Sequence, residues 1–444
     1  MPKKTIIIFI VVFIFVGSGI WAGYYYFGNN QNSSTTTNGS TTIGNQTFNP
    51  FGTGTTTNTN TSTNTDTLTT DTTGDTPVVK ADSMFHQITD FAISGATYFE
   101  DTKPIVTTTT DTTVTAPVTT PTTTTKTTKK VVVKKVETPK FEIIPSLRYV
   151  EKANGHIYQR NISTKESTKI SNSTIPSIYE ALFNSDASTV IYRYLSSDGA
   201  TISSYVASLG GAKGEFLASN ILDISVSPDK NSFFYLIKNS NGISGVTKSF
   251  KETKSNSVWT SPYTEWLSQW VSPQKVFLTT KASWSYQGSL FSLNTSNGTM
   301  TKIFGGVSGL TTLANTDATL VLYNTSTNTG PKLEVFDINK HKVEDLDVYG
   351  LPEKCIWSND KISIYCALPK VITGTQYPDS WYQGIISFDD YFVKIDTNTN
   401  TISTIADSTE GTSVDATHLF LDKAEKQLFF TNKKDSTLWS LDIN

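Results

Sequence analysis

Few side chains in this sequence could do chemistry. Among 444 residues cysteine occurs twice and histidine four times. His86, His156, His341 and His418 stand too far apart for a Cys/His metal cage and read as core or surface residues. No metal or other cofactor is expected. The Gly-x-Ser-x-Gly turn that exposes a nucleophilic serine is absent, since Gly306-Val-Ser-Gly309 lacks its spacing. Asp389 and Asp390 are neighbours, and in an extended strand neighbours point to opposite faces, so they cannot act on one substrate atom. Both read as solvated turn residues. No Gly-rich phosphate loop is present. Lys plus Arg number 36 against 39 acidic residues, a formal net charge of -3, which gives no general footprint for nucleic acid.

What remains is binding chemistry and one covalent link. The segment Pro369 to Gly384 holds Tyr377, Asp379, Trp381, Tyr382 and Gln383. Exposed Trp and Tyr beside Asp and Gln could stack on sugar rings or anchor a protein. The alternative is that this loop folds over the domain and buries its rings as a cap. Trp266, Trp270, Trp284 and Tyr286 read as core. Cys355 and Cys366 flank a two-strand segment with Ser358-Asn-Asp-Lys361 at its turn, so a symmetric hairpin sets them opposite each other and a disulfide is expected. The loop it closes is short, which puts its stabilisation at the low end of the usual 2 to 4 kcal/mol or so.

These residues sit in a chain of short Tyr, Phe, Ile, Leu and Val runs separated by Asn, Asp, Gly, Ser and Pro clusters, with no long helical periodicity. This is an all-β pattern. After Phe141 a unit of strands and polar turns returns roughly every 43 residues, the length of a four-stranded propeller blade. One copy is Ile221-Leu-Asp-Ile-Ser-Val-Ser-Pro-Asp-Lys-Asn-Ser-Phe-Phe-Tyr-Leu-Ile237, with Pro228 and Asp229 at the turn. Others begin near Ile178, Thr264, Gly309, Leu351 and Val414. The seventh comes from upstream: Ile88 to Tyr98 reads as an innermost strand, with partners Leu147 to Glu151 and His156 to Asn161 beyond a Thr-rich insert. The last blade, Val414 to Asn444, lacks an outermost strand, which Met84 to Thr89 is placed to supply. A seven-bladed β-propeller over residues 77–444, with an insert at about 102–140, is the expected fold.

Val226-Ser-Pro-Asp-Lys230 followed by an aromatic-rich strand resembles the WD40-like repeats of the TolB-type propeller proteins. Arg148 to Tyr158, Lys354-Cys-Ile-Trp-Ser358 with Tyr365-Cys-Ala-Leu-Pro369, and Tyr377 to Gly384 are similar to membrane-anchored propeller proteins of bacteria with reduced genomes. The resemblance covers roughly Ile88 to Asn444. It implies a propeller fold and an envelope location, and no activity. TolB itself implies protein binding; its separate amino-terminal domain has no counterpart in this sequence.

Lys3 and Lys4 precede an uncharged run from Thr5 to Phe27, long enough to span a hydrocarbon core, with Trp21, Tyr24, Tyr25 and Tyr26 at its exit. Residues 1–28 are therefore expected to be a transmembrane signal-anchor with the rest of the chain outside the cytoplasm; a cleaved signal peptide is the alternative. Residues 29–76 are almost wholly Thr, Asn, Ser, Gly and Gln, too polar to repay chain entropy, and read as a disordered linker with a reach of roughly 35 to 40 Å. A second Thr-rich tract, Thr107 to Thr128, runs into a Lys-rich stretch with Lys126, Lys129, Lys130, Lys134 and Lys135; it reads as a solvated disordered loop, with contact to an anionic polymer or lipid as the alternative. The expected function is a binding or scaffold module for an envelope protein or glycan. A cell-wall polymer-acting enzyme and a structural subunit of a surface assembly are the alternatives.

Overall fold

The computed structural model describes residues 84–105, 141–210, 214–219, 221–407 and 413–443. The expected membrane anchor, the linker and the Thr-rich and Lys-rich tract lie outside these residues. The described strands form seven antiparallel sheets of four strands each, a seven-bladed propeller. Innermost strands begin at Ile178, Ile221, Trp266, Thr312, Cys355 and Ala416 in blades two to seven, within a few residues of the expected repeat starts.

Blade one departs in its details. Its innermost strand is Ile93–Pro104 and its second strand Phe141–Glu151, and Thr102 to Pro104 still pair with Phe141 to Ile143. The ladder thus runs past the point where the insert was expected to begin. Ile88 and Thr89 instead donate backbone N–H to the carbonyl of Leu438, ending the closing strand of blade seven. That strand, Phe85–Gln87, pairs antiparallel with Thr437–Asp442 as expected, so residues far apart in sequence share the final sheet.

The core lies between blades. Seven buried clusters fill the seven interfaces between neighbouring sheets. Consecutive residues of a second strand serve alternate interfaces: Phe233 and Tyr235 pack toward blade two, Phe234 and Leu236 toward blade four. A strand buried on both faces reads as a continuous apolar run rather than an alternation. That is why Phe233 to Leu236, Val276 to Leu278 and Ile364 to Leu368 are uninterrupted.

Turns between first and second strands share one geometry. In the third blade Lys230 has φ of 52° and donates its N–H to Ser227 O at 2.7 Å, while Ser227 Oγ accepts from Ser232 N. Ala187, Ala318, Lys361 and Glu425 repeat the positive φ at equivalent turns. No glycine marks these sites, and a short polar residue at each turn satisfies the backbone in its place.

Cys355 and Cys366 are directly opposite in register and form a disulfide across the first two strands of blade six. Both are buried in the interface with blade five. Replacing both with Ala is expected to cost about 2 kcal/mol, since the bond closes a short loop. Native protein should take up no alkylating reagent after mild reductant treatment, because 5 % or less of each side chain is exposed. Alkylation at native denaturant-free conditions, read by intact mass, would contradict this burial.

Candidate functional site

Strands alternate direction within each sheet. Turns joining strands two to three therefore share a face with the connections between blades, and turns joining one to two open on the other. The long loop of blade six, from Lys370 to Asp389, belongs to the first of these, here termed the cap face. Within it Asp379–Tyr382 makes one helical turn.

This loop lies across its neighbours. Asp379 Oδ2 accepts the backbone N–H of Trp284 from blade four at 2.7 Å, and Thr375 O accepts from Ser326 Oγ of blade five at 3.3 Å. Lys433 Nζ from blade seven donates to Trp381 O at 2.8 Å and sits 4.8 Å from its ring centroid. Tyr377, Trp381 and Phe388 stack into a cluster with Leu351. Tyr377 is fully buried and Trp381 only 3 % exposed. Neither ring can meet a ligand at the surface. Tyr382 and Gln383 are exposed, and the Tyr382 hydroxyl reaches down to Glu353 Oε1. Of the five loop residues singled out from sequence, two are thus cap, one is a brace and two are surface.

Beneath the cap is an ionic cluster. Lys354 is fully buried, 2.8 Å from Asp390 Oδ2 and 2.6 Å from Asp415 Oδ1, and its Nζ also donates to Ala416 O. Asp415 accepts from Trp381 Nε1 at 3.1 Å and from Phe388 N at 3.0 Å. Asp390 Oδ2 accepts from Ala416 N, while its Oδ1 is buried without a hydrogen-bond partner. Two carboxylates thus share one ammonium. Burial pushes Asp390 up to about 6, against the pull of Lys354, and the neighbouring Asp415 adds to the rise. Asp415 is held below the usual range: burial acts to raise it, but Lys354 and the donors from Phe388 and Trp381 prevail.

A carboxyl whose folded pKa exceeds its unfolded value of about 3.9 stabilises most below that value. The contribution is lost as pH rises through about 6. Stability is expected to fall by up to about 3 kcal/mol between pH 4 and 7 from this group, at 1.36 kcal/mol per pKa unit. Asp415 acts in the opposite sense, but only below about pH 4. Burial also raises Glu180 and Glu353, so Asp390→Asn should reduce the slope without abolishing it. Denaturant midpoints of both proteins across this range check it; parallel profiles would refute the assignment.

Asp390 and Asp389 do point to opposite sides, but the expectation that both are solvated fails for Asp390. It enters the third strand of blade six facing inward and is fully buried. Lys354 and Asp415 were not picked out from sequence; each stands just before an innermost strand, and only the three-dimensional ring brings them together. The aromatic expectation for blade four is also corrected. Trp266 is core and Trp270 half-buried, but Trp284 is 43 % and Tyr286 76 % exposed. Both ride the turn between the second and third strands, outside the sheet, where no neighbouring blade covers them.

Of eight exposed aromatic rings among the described residues, Tyr179, Tyr263, Trp284, Tyr286, Tyr349 and Tyr382 lie at cap-face turns or strand ends. Phe141 and Phe216 lie elsewhere. Large exposed rings are thus concentrated on the cap face.

No protein-family model matches the chain, and no curated protein matches it. Solved structures similar to it are propeller proteins. An oligogalacturonate lyase in complex with manganese aligns with TM-score 0.48 and 10% identity over 67% of this chain and 86% of that one. TolB from Acinetobacter baumannii aligns with TM-score 0.39 and 11% identity over 67% and 76%. Hydrazine synthase of Kuenenia stuttgartiensis aligns with TM-score 0.43 and 13% identity over 61% and 77%. The seven four-stranded sheets of the described residues make the chain a seven-bladed β-propeller, its cap face closed in part by the blade-six loop.

Proposed function

We propose that this chain is a membrane-anchored, extracytoplasmic binding module that holds an envelope protein or glycan on its cap face. The concentration of exposed rings there carries the reading. Trp284 and Tyr286 stand on a turn braced by Asp379, and Tyr382 is one helical turn away from that brace. A ring presented on a fixed backbone loses little conformational entropy on binding, which suits it as an anchor. The exposed neighbour Gln383 can serve the hydroxyls of a sugar or the amides of a peptide. The apolar run to Phe27 and the polar linker after it support display away from a bilayer.

The test is co-sedimentation of the full-length chain with purified cell-wall sacculi, beside a Trp284→Ala/Tyr286→Ala variant. Both substitutions are at exposed rings, so the fold is expected to survive them. Binding by the parent and its loss in the variant supports glycan recognition at the cap face. With no sedimentation by either, photo-crosslinking from position 286 in intact cells identifies a protein partner. Failure of both experiments refutes the binding reading.

A further inference from the structure

The blade-six loop leaves part of the cap face open. Over blades seven, one and two lies a cavity of about 500 Å³. Its walls are the innermost strands at Ser94 to Ala96, Tyr179 to Leu182 and Thr417 to Phe420. This volume lies within the usual range for a small-molecule site. The walls are closely fitted: a Cβ on Gly95 would sit 2.0 Å from Ala181 O, so blades one and two meet backbone to backbone.

The charges facing this cavity do not cancel. Arg193 and Glu180 form a pair at 2.6 Å, and the guanidinium also donates to Ile221 O and Leu222 O and lies 5.1 Å from the Tyr179 ring centroid. That pair is neutral in sum. Lys152 is exposed and makes no ion pair among the described residues, and Lys433 meets only a carbonyl and the Trp381 ring. Two positive charges are left over, in a chain whose formal net charge is -3. An anion is the complementary occupant.

The rest of the lining is not that of a simple anion trap. Tyr179 offers a ring that is 42 % exposed, and Thr417 and Ser436 bring hydroxyls. His418 has φ of 51° in a bulge where the pairing register jumps from Thr417 to Phe420. A bulge of this kind re-aims a side chain out of the ladder, and a non-glycine residue at positive φ is uncommon enough to require a reason. His418 is exposed in the cavity wall, where its ring nitrogens can meet a ligand's hydroxyls.

We propose that this cavity binds a carboxylated sugar of one or two rings, its carboxylate held by Lys152 and Lys433, a ring face on Tyr179, and its hydroxyls on His418, Thr417 and Ser436. An acidic peptide side chain would satisfy the lysines but leave the stacking face and the hydroxyls unused. Tyr179 is shared with the exposed rings of the cap face, but the site otherwise lies apart from Trp284, Tyr286 and Tyr382.

Isothermal titration of the full-length chain with three probes tests this: a glucuronate-N-acetylglucosamine disaccharide, neutral diacetylchitobiose, and glutarate. The acidic disaccharide is expected to bind at least tenfold more tightly than either of the others. Lys152→Glu, at an exposed position, should weaken it at least tenfold, while Phe216→Ser, at an exposed ring outside both sites, leaves it unchanged. Absence of binding by the acidic disaccharide, equal binding of glutarate, or an unaltered affinity in Lys152→Glu would each overturn the proposal.

Discussion

Lys354→Met is expected to lower the unfolding free energy of the propeller by about 3 to 5 kcal/mol at neutral pH, the usual cost of removing one partner from a buried ion cluster. The substitution keeps the volume of the side chain roughly constant, so packing loss is small and the effect is electrostatic. It leaves Asp390 and Asp415 facing each other with no cation, both fully buried. The lost ammonium also lies 5.5 Å from the Trp381 ring centroid and 5.3 Å from that of Phe388, so the cap loses a contact as well. Asp390→Asn is expected to be near neutral or slightly stabilising, because it leaves one carboxylate for one ammonium. Combining it with Lys354→Met should recover about 1 to 3 kcal/mol, the coupling typical of groups in contact. Guanidinium midpoints of the four proteins complete the cycle. The deficit of Lys354→Met should also shrink near pH 5, where Asp390 is protonated. A loss below about 1 kcal/mol would show that the cluster does not hold the cap.

The sequence declared the fold through features that act locally. Apolar runs such as Phe233 to Leu236, bounded by turns such as Ser227-Pro-Asp-Lys230, recur because each blade solves the same packing problem against two neighbours. The disulfide was legible for the same reason: a hairpin's register follows from its turn, and Cys355 and Cys366 are equidistant from theirs. The candidate site was less legible because it is assembled from different blades. Lys354, Asp390 and Asp415 are separated by 36 and 25 residues and carry no motif. From sequence Trp284 reads as core and it is exposed, whereas Trp381 stands between a binding ring and a buried cap, and the structure makes it cap. Trp381 turns inward because its indole N–H finds Asp415, while Trp284 sits at a turn tip with its backbone N–H held by Asp379. Burial of a loop aromatic depends on whether a distant partner awaits its polar atom.

Deleting the closing strand tests the other long-range element. A chain starting at Ile88 lacks Phe85–Gln87, and is expected to lose about 4 kcal/mol and to associate reversibly as concentration rises. The stability term has two parts. Phe85 is 9 % exposed and lies edge-on to Phe392 at 5.5 Å in the interface between blades six and seven, and removing a buried Phe costs about 3 to 5 kcal/mol. The strand's hydrogen bonds add roughly 1 kcal/mol between them. His86 also loses its contact with Asp442 at 3.2 Å, which counts for little at a half-exposed site. The association term follows from the edge. Without its partner, Thr437–Asp442 presents unpaired backbone groups to solvent, a template for another chain. Blade two supplies the control. Its outermost strand is only Glu215–Phe216, and the Phe216 ring is 68 % exposed, so Phe216→Ser should change stability by less than about 0.5 kcal/mol. Sedimentation velocity and guanidinium midpoints distinguish the two. If the chain starting at Ile88 unfolds at the parent's midpoint and stays monomeric, the ring is closed by blade packing alone and the terminal strand is dispensable.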